Sequence, residues 1–273
     1  MRAHVLRRIR AFFDARGFVE VETSVRLAAP APEPHIDCPA VHAPDGGVTY
    51  LRASPELQMK RLLAAGMVRI YQIGPCFREG ERGRRHSPEF TMLEWYRTPA
   101  GYLDILADME ELVGALCGPF PNGFARITVR EAYRRWAGWD PFTDWDQDRF
   151  DLDMATKIEP NLPPGPVFLM DYPPPAASLA QMRDGVAERW ELYLDGVELA
   201  NAFTELDDPA EQRRRFEAAR EERRRLGEAD YPLDETFLDA LARMPPAGGV
   251  ALGIDRLVMM ICRAPDIASV RAF

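Results

Sequence analysis

The chain has 273 residues, 47% hydrophobic and 28% charged, with a formal net charge of −9. That length supports one large domain, and the acidic balance repels phosphate backbones, which argues against broad nucleic-acid binding. Cys38, Cys76, Cys117 and Cys262 are scattered, with no CxxC pair. Neither a clustered zinc site nor a disulfide framework is therefore indicated, and reduced, buried thiols are expected. The N-terminal stretch MRAHVLRRIRAFFDARGF is basic and amphipathic but has no uninterrupted apolar run. It reads as neither a signal peptide nor a membrane span, and the acids Asp14, Glu20 and Glu22 argue against a transit peptide. A cytoplasmic protein is expected.

In chain order, Val5, Ile9, Phe12 and Phe13 recur at helical spacing, and Gly17 supplies a stop. Phe18 to Thr23 alternates apolar and polar and predicts a strand. Pro30 to Pro44 reads as a proline-rich loop. At Ser54-Pro55-Glu56 a helix opens: Ser54 caps it, Pro55 suits its first position and Glu56 meets the positive end of its dipole. Gly66 closes it. A strand over Val68 to Ile73, a charged loop over 78–88 (REGERGRRHSP), a strand over Glu89 to Tyr96 and a helix over Tyr102 to Leu116 follow. Residues 139–166, rich in Asp and Pro, read as irregular. Arg189 to Glu205 predicts a hairpin turning at Asp195-Gly196. Asp208-Pro209 starts a charged helix that ends near Gly227, and its interleaved acids and bases suit a solvated face better than an RNA site. Gly248-Gly249 leads into an apolar strand, and Ile254 to Ile261 forms the last helix. Strands and helices do not alternate regularly, which favours an α+β fold over a doubly wound sheet. No P-loop, GxGxxG, GxSxG or HExxH pattern is present.

Three segments carry candidate chemistry. With a two-residue turn, Leu194 pairs with Val197, Tyr193 with Glu198 and Glu191 with Ala200, so Glu191, Tyr193, Glu198 and Ala200 share a face. The two carboxylates are then diagonal neighbours, roughly 7–8 Å apart. They suit either a magnesium ion with phosphate oxygens or a solvent-exposed sheet face. In the second segment, Arg78, Arg82, Arg84 and Arg85 form a loop able to collect phosphates. The strand after it puts Phe90, Met92, Glu94 and Tyr96 on one face, where a carboxylate and a phenol can bind an ammonium group. The same residues also fit a basic loop joined to an ordinary half-buried strand. Third, in GGVALGIDRLVMM, residues 248–260, the glycines allow close approach to a flat ligand. Arg256 stands in an apolar helix and needs a partner, either ATP phosphate or a salt bridge such as one to Asp255.

Together these segments resemble the three signature motifs of class II aminoacyl-tRNA synthetases. FFDARGFVEVET is similar to motif 1, CFREGERGRRHSPEFTMLEWY to motif 2 and GVALGIDRLVMM to motif 3. SPELQMKRLL, EFTMLEWY and VELANAFTEL resemble the lysine subgroup, and within it the free-standing paralogues that ligate lysine to translation elongation factor P. The resemblance implies a mainly antiparallel sheet flanked by helices. It also implies a single catalytic domain over 1–273, with motif 1 beginning too close to Met1 to leave room for an anticodon-binding domain, and a homodimer. ATP and Mg²⁺ are the implied cosubstrate and metal.

It further implies that Arg78 holds the α-phosphate of ATP and Arg256 the γ-phosphate. Glu79, Gly80, Glu81, Ser87, Glu198, Leu199 and Gly253 would complete the nucleotide contacts, and Glu191 and Glu198 would bind the metal. Ser54, Pro55, Glu56 and Ser87 would meet the amino acid, with Glu56 on its backbone-type amino group. Glu94, Tyr96 and Glu205 would receive the side-chain ammonium, beside Asn201 and Phe203. Ala251 stands where true lysyl-tRNA synthetases carry glycine, which points to (R)-β-lysine. Three positions depart from the family pattern: Glu79-Gly80 stands for Asn-Glu, Ser87 for Asn and Ala202 for Gly. Strict alternation would put Glu198 opposite Asn201, Phe203 and Glu205, so one shared face requires a bulge between them. The expected reaction is adenylation of a lysine-type amino acid followed by transfer to a lysine side chain of elongation factor P. Charging of tRNA, or a non-catalytic amino-acid-binding regulator, are the competing readings.

Overall fold

The computed structural model describes residues 1–271. Its helices are α1 (Arg2–Asp14), α2 (Glu56–Ala64), α3 (Tyr102–Cys117), α4 (Val129–Ala132), α5 (Gln147–Asp153), α6 (Pro209–Leu226), α7 (Glu235–Leu241) and α8 (Ile254–Cys262). Its strands are β1 (Val19–Glu20), β2 (Arg26–Leu27), β3 (Ala40–His42), β4 (Val48–Leu51), β5 (Arg69–Phe77) and β6 (Glu89–Arg97), followed by β7 (Ala125–Thr128), β8 (Pro166–Tyr172), β9 (Met182–Arg183), β10 (Val186–Leu194), β11 (Val197–Thr204) and β12 (Gly248–Gly253). The chain divides into two compact units. The first comprises Met1–Pro99, Asp207–Ala247 and the chain from Gly253 onward, and the second Ala100–Leu206 with Gly248–Leu252. Strand pairing is mainly antiparallel in both, as an α+β fold requires.

In the first unit β5 pairs antiparallel with β6 over its whole length and parallel with β1. One face of this ribbon is closed by α1, whose apolar stripe of Val5, Ile9, Phe12 and Phe13 is buried. Phe13 stacks on Tyr71 with centroids 4.7 Å apart and meets Trp95 at 5.2 Å, contacts worth about 0.5–1.5 kcal/mol each beyond their area. Gln72, Gly74, Glu94 and Tyr96 lie on the other face, since Tyr71 is opposite Trp95 and Gln72 opposite Glu94. Helix α6 starts as its sequence predicts: Asp208 accepts from the amides of Ala210 at 2.8 Å and Glu211 at 3.2 Å, and Gly227 ends the helix in the left-handed conformation. Most of its arginines pair with acids one turn away on the surface. Arg213 and Arg220 reach Glu235 and Asp230 beyond the helix, and Arg223 is fully buried. It donates to the carbonyls of Glu33, Ile36 and Ala229 and pairs with Asp37, so it staples two loops to the helix.

In the second unit the strand order is β12-β11-β10-β8-β7, with β9 paired to the start of β10. Helix α3 packs on β10 and β11. The β10–β11 turn has positive φ at Asp195 and Gly196, 49° and 72°, the conformation the Asp-Gly pair predicts. Leu194 faces Val197 and Tyr193 faces Glu198, but the register then slips, so that Leu192 faces Ala200 and Glu191 faces Asn201. Leu199 is the extra residue of a β-bulge. The expected Glu191–Ala200 pair is therefore corrected to Glu191–Asn201.

Other local expectations also change. The strand expected over Phe18 to Thr23 is paired only at Val19–Glu20. Within the Pro30–Pro44 loop, Ala40–His42 is a strand of a small sheet ordered β2-β4-β3. Residues 139–166 are less irregular than their composition suggests: α5 is capped by Asp146 and runs on into a wider helical turn over Met154–Ile158. Cys38 and Cys76 are buried as expected, whereas Cys117 and Cys262 are exposed. Among the described residues no helix is long and apolar enough to cross a membrane.

Gly248, on β12, lies against α3: a Cβ there would sit 2.6 Å from Ile105 Cγ1 and 2.8 Å from the Gly101 carbonyl oxygen. The backbone oxygen cannot swing aside as a side chain could. Gly248→Ala should therefore destabilise the protein by about 1–3 kcal/mol, read as a lowered midpoint in urea denaturation. An unchanged midpoint would refute this close approach.

Candidate functional site

Each unit carries a cluster of the residues singled out by sequence. In the first, Ser54 Oγ accepts the Glu56 amide at 2.9 Å, but Ser54 lies one residue before the N-cap, so the expected Ser54 cap is corrected: the helix has no side-chain cap. Pro55 is the residue just outside the helix and not its first. Ser54 also donates to Glu94 Oε1 at 2.7 Å, and Tyr96 donates to Oε2 at 2.8 Å. Glu94 is completely buried. Burial, then the charge of Glu56, push its pKa up to about 7, while the bonds from Ser54 and Tyr96 pull the other way. Glu56 itself pairs with the buried Lys60 at 2.5 Å. This end of the unit thus holds a second carboxylate whose charge opposes ionisation of Glu94, and an ammonium ligand would relieve that opposition.

The arginine loop lies beyond β5. Arg78 reaches Glu81 at 3.4 Å and lies 5.2 Å from the centre of the Phe90 ring. Its buried Nε has no hydrogen-bond partner among the described residues, as suits an arginine kept for an anion. Gly80 has φ 76°, and Glu79 is exposed, with its amide bonded to the Asp37 carbonyl at 2.7 Å. Of the two acids expected among the nucleotide contacts of this loop, Glu81 is the one that turns toward Arg78. Arg256 is half-buried and is held by this same loop: Nε donates to the Arg85 carbonyl at 3.2 Å, and Nη2 meets His86 Nε2 at 2.6 Å. Burial, then the charge of Arg256, lower the pKa of His86, so the neutral ring accepts. Asp255, considered as a partner of Arg256, pairs with Arg2 at 2.5 Å and accepts the Thr91 amide at 2.9 Å, because the side chain of Asp255 points into the core. Ser87 accepts from Arg271. Gly253 precedes α8 as its N-cap.

In the second unit the Leu199 bulge puts Arg189, Glu191, Tyr193, Glu198, Asn201 and Phe203 on one face, since each β10 residue of this set stands opposite one from β11. Ala251 is opposite Asn201 on β12 and shares that face. Ala202 points the other way and is fully buried. Glu205 continues the Asn201–Phe203 alternation just past β11 and is 1% exposed. Glu191 is clamped at both oxygens, by Arg189 at 2.5 Å and by the Tyr193 hydroxyl at 2.7 Å. Burial, then the charge of Glu191, hold the Tyr193 and Tyr172 phenols well above their ordinary pKa. Arg189 was not singled out by sequence. The i, i+2, i+4 spacing of Arg189, Glu191 and Tyr193 already placed it on the Glu191 face. Among the described residues, no group of three or more His, Cys, Asp or Glu side chains could hold a metal unaided. Glu191 and Glu198 would need phosphate oxygens and water to complete a magnesium site.

The Glu94 geometry sets a pH dependence. A carboxyl whose folded-state pKa exceeds its unfolded value holds its proton more tightly in the folded state. Its cost to stability is absent below about pH 4.5, grows as pH rises toward about 7 and is constant above that. Thermal melts of the ligand-free wild type should lose midpoint across this window, and Glu94→Gln should show a smaller loss. Parallel curves for the two proteins would count against a raised Glu94 pKa.

Comparison with known proteins gives the family. Residues 1–273 match the family described as tRNA synthetases class II (D, K and N). The chain is 37% identical over 305 residues to a protein of Proteus mirabilis named elongation factor P–(R)-β-lysine ligase. It is 38% identical over 304 residues to proteins of that name from Photorhabdus laumondii and Edwardsiella ictaluri. Each alignment spans 100% of this chain and 93% of the relative. With agreement of this extent over its whole length, the chain belongs to the class II tRNA synthetase family of the D, K and N type.

Proposed function

We propose that this chain is an ATP-dependent ligase that activates a lysine-type amino acid, (R)-β-lysine by the name of its relatives, and transfers it to a lysine side chain of translation elongation factor P. The observation that carries the reading is Glu94: a fully buried carboxylate, bound by two hydroxyls and raised toward neutral pKa, with a second acid beside it. Such a group is poised to ionise when an ammonium arrives, and that matches the substrate class named for the relatives.

In the first step the amino acid's carboxylate attacks the α-phosphorus of ATP in line, the P–O bond to pyrophosphate breaks, and pyrophosphate leaves. A carboxylate is already a nucleophile, so no general base is required. Positioning and charge neutralisation supply the acceleration, with Arg78 on the α-phosphate and Arg256 on the γ-phosphate. The orphaned Nε of Arg78 supports that role. Mg²⁺ arriving with ATP would be held by Glu191 and Glu198 and would offset the charge of the phosphates. Glu56 is assigned to the backbone-type amino group, and Glu94, Tyr96 and Glu205 to the side-chain ammonium, with Ser54, Pro55, Ser87, Asn201, Phe203 and Ala251 as further amino-acid contacts. Glu81 is the acid assigned to adenine, alongside Glu79, Gly80, Leu199 and Gly253. In the second step the acceptor lysine's neutral amine attacks the adenylate carbonyl and AMP leaves. That amine has an ordinary pKa of about 10.4, so it must lose a proton first.

Amino-acid-dependent ATP–pyrophosphate exchange tests the first step. Exchange should be strong with (R)-β-lysine, weaker with α-lysine and absent with norleucine, which lacks the second ammonium and leaves buried carboxylates unpaired. Comparable exchange with norleucine would refute the charged pocket. Arg78→Ala should lower exchange by about 100-fold or more while leaving the melting midpoint within a few degrees of wild type. Normal exchange in that variant would overturn the assignment. Incubation with labelled substrate and either elongation factor P or total tRNA identifies the acceptor. Label on tRNA alone would replace the protein-ligase reading with tRNA charging.

A further inference from the structure

Arg189 makes more polar contacts than any role assigned above requires of it. Its Nη2 donates to Glu191 Oε1 at 2.5 Å, its Nε to Asn201 Oδ1 at 3.1 Å and its Nη1 to the Ala176 carbonyl at 2.8 Å. The guanidinium lies 4.2 Å from the centre of the Tyr172 ring. Burial alone would lower its pKa, but the Glu191 charge more than offsets this and the pKa is raised, so Arg189 is a permanent cation. The plane is fixed from four sides: a carboxylate, an amide, a main-chain carbonyl and an aromatic face.

Two consequences follow from donor and acceptor chemistry. Glu191 is bound at one oxygen by Arg189 and at the other by Tyr193, so its rotamer is set before any ligand arrives. Arginine can only donate, so Asn201 must turn its carbonyl oxygen toward Arg189. Its NH₂ group then points away from the cation and faces outward as a donor. Lysine could not reproduce this: its ammonium is a single point, while the guanidinium fork reaches three partners in different directions.

We infer that Arg189 is the positioning residue of this strand face, presetting Glu191 for the nucleotide's metal and orienting Asn201 as a donor toward a carboxylate or phosphate oxygen. The inference rests on the ligase reading for the identity of those ligands, while the clamp itself rests on the contacts of Arg189 alone. Arg189 touches neither reacting atoms nor metal; it acts through Glu191 and Asn201.

The test uses the full-length protein with Arg189→Met, Arg189→Lys and Glu191→Gln, and two readouts. Calorimetry measures binding of a non-hydrolysable ATP analogue at increasing Mg²⁺, and of lysine alone. Pyrophosphate exchange gives kcat, the KM for amino acid and the Mg²⁺ requirement. Arg189→Met should raise the Mg²⁺ needed for half-maximal analogue binding by about 10-fold or more and also raise the amino-acid KM. Arg189→Lys restores charge beside Glu191 but not the fork, so it should recover most of the Mg²⁺ dependence and leave the amino-acid KM raised. Adding Arg189→Met to Glu191→Gln should cost little further Mg²⁺ dependence, because the two act as one unit. Equal losses in every parameter for the Lys and Met variants, or additive losses with Glu191→Gln, would overturn the inference. So would wild-type Mg²⁺ dependence in Arg189→Met. If Arg189→Met does not fold, the split in Arg189→Lys decides alone. Should wild type bind the analogue with Mg²⁺ yet catalyse no exchange, the ligase reading fails while the calorimetry still decides the role of Arg189.

Discussion

The extra residue at Leu199 is the constraint from which the chemistry of the second unit follows. Side chains on a strand alternate with a period of two, so a one-residue slip moves every later side chain to the opposite face. With the bulge, Glu198 and Asn201 share a face although three positions separate them in sequence. Without it, Glu198 would share a face with Ala200 and Ala202, and Asn201 and Phe203 would point away from Glu191. The bulge also lets an apolar sequence on the other face, Trp190, Leu192, Ala200 and Ala202, stay fully packed in the core. A single backbone irregularity thus reconciles a continuous core face with a polar face drawn from both strands.

Buried charge is the second constraint, and the two units answer it differently. In the second, Glu191 and Arg189 neutralise each other, and their remaining polar atoms are taken by Tyr193, Asn201 and Ala176. Such a pair is held by geometry more than by net energy, because desolvation consumes most of the Coulombic gain. In the first, Glu94 has hydroxyl partners but lies near another acid, and it answers by holding its proton more tightly. The arrangement in the second unit is preorganised, whereas that in the first leaves Glu94 opposed by a neighbouring charge. Frustration of this kind is a recurring property of ligand sites, where stability is given up for affinity.

The departures of the arginine loop from the family pattern also acquire a physical form. Gly80 takes a left-handed φ of 76° that a glutamate would adopt only with strain. The turn so formed carries Glu81 back against Arg78. Ser87 is engaged by Arg271, and the neighbouring His86 and Arg85 hold Arg256. Arg256 is thus tied to the loop that also presents Arg78, and the salt bridge that its sequence neighbour Asp255 might have offered goes to Arg2.

Much of this architecture was legible in the order of residues. Capping at Asp208, the Asp-Gly turn, the helical stripe of α1 and the strand carrying Glu94 depend on contacts within a few positions, and local chemistry determines them. Arg78, Glu191, Glu198 and Arg256 stood out through the resemblance to the synthetase motifs, since their spacing alone suits an exposed face or an ordinary salt bridge as well. Tertiary structure alone decided the rest. It selected Asn201 over Ala200 as the partner of Glu191, Arg2 over Arg256 as the partner of Asp255, and Arg189 as the clamp beneath the carboxylate face. It also gave Glu94 its raised pKa. Each of these turns on which distant groups exclude water from a given atom and which partner then reaches it. Burial and long-range pairing belong to the packed chain, and no window of neighbouring residues contains them.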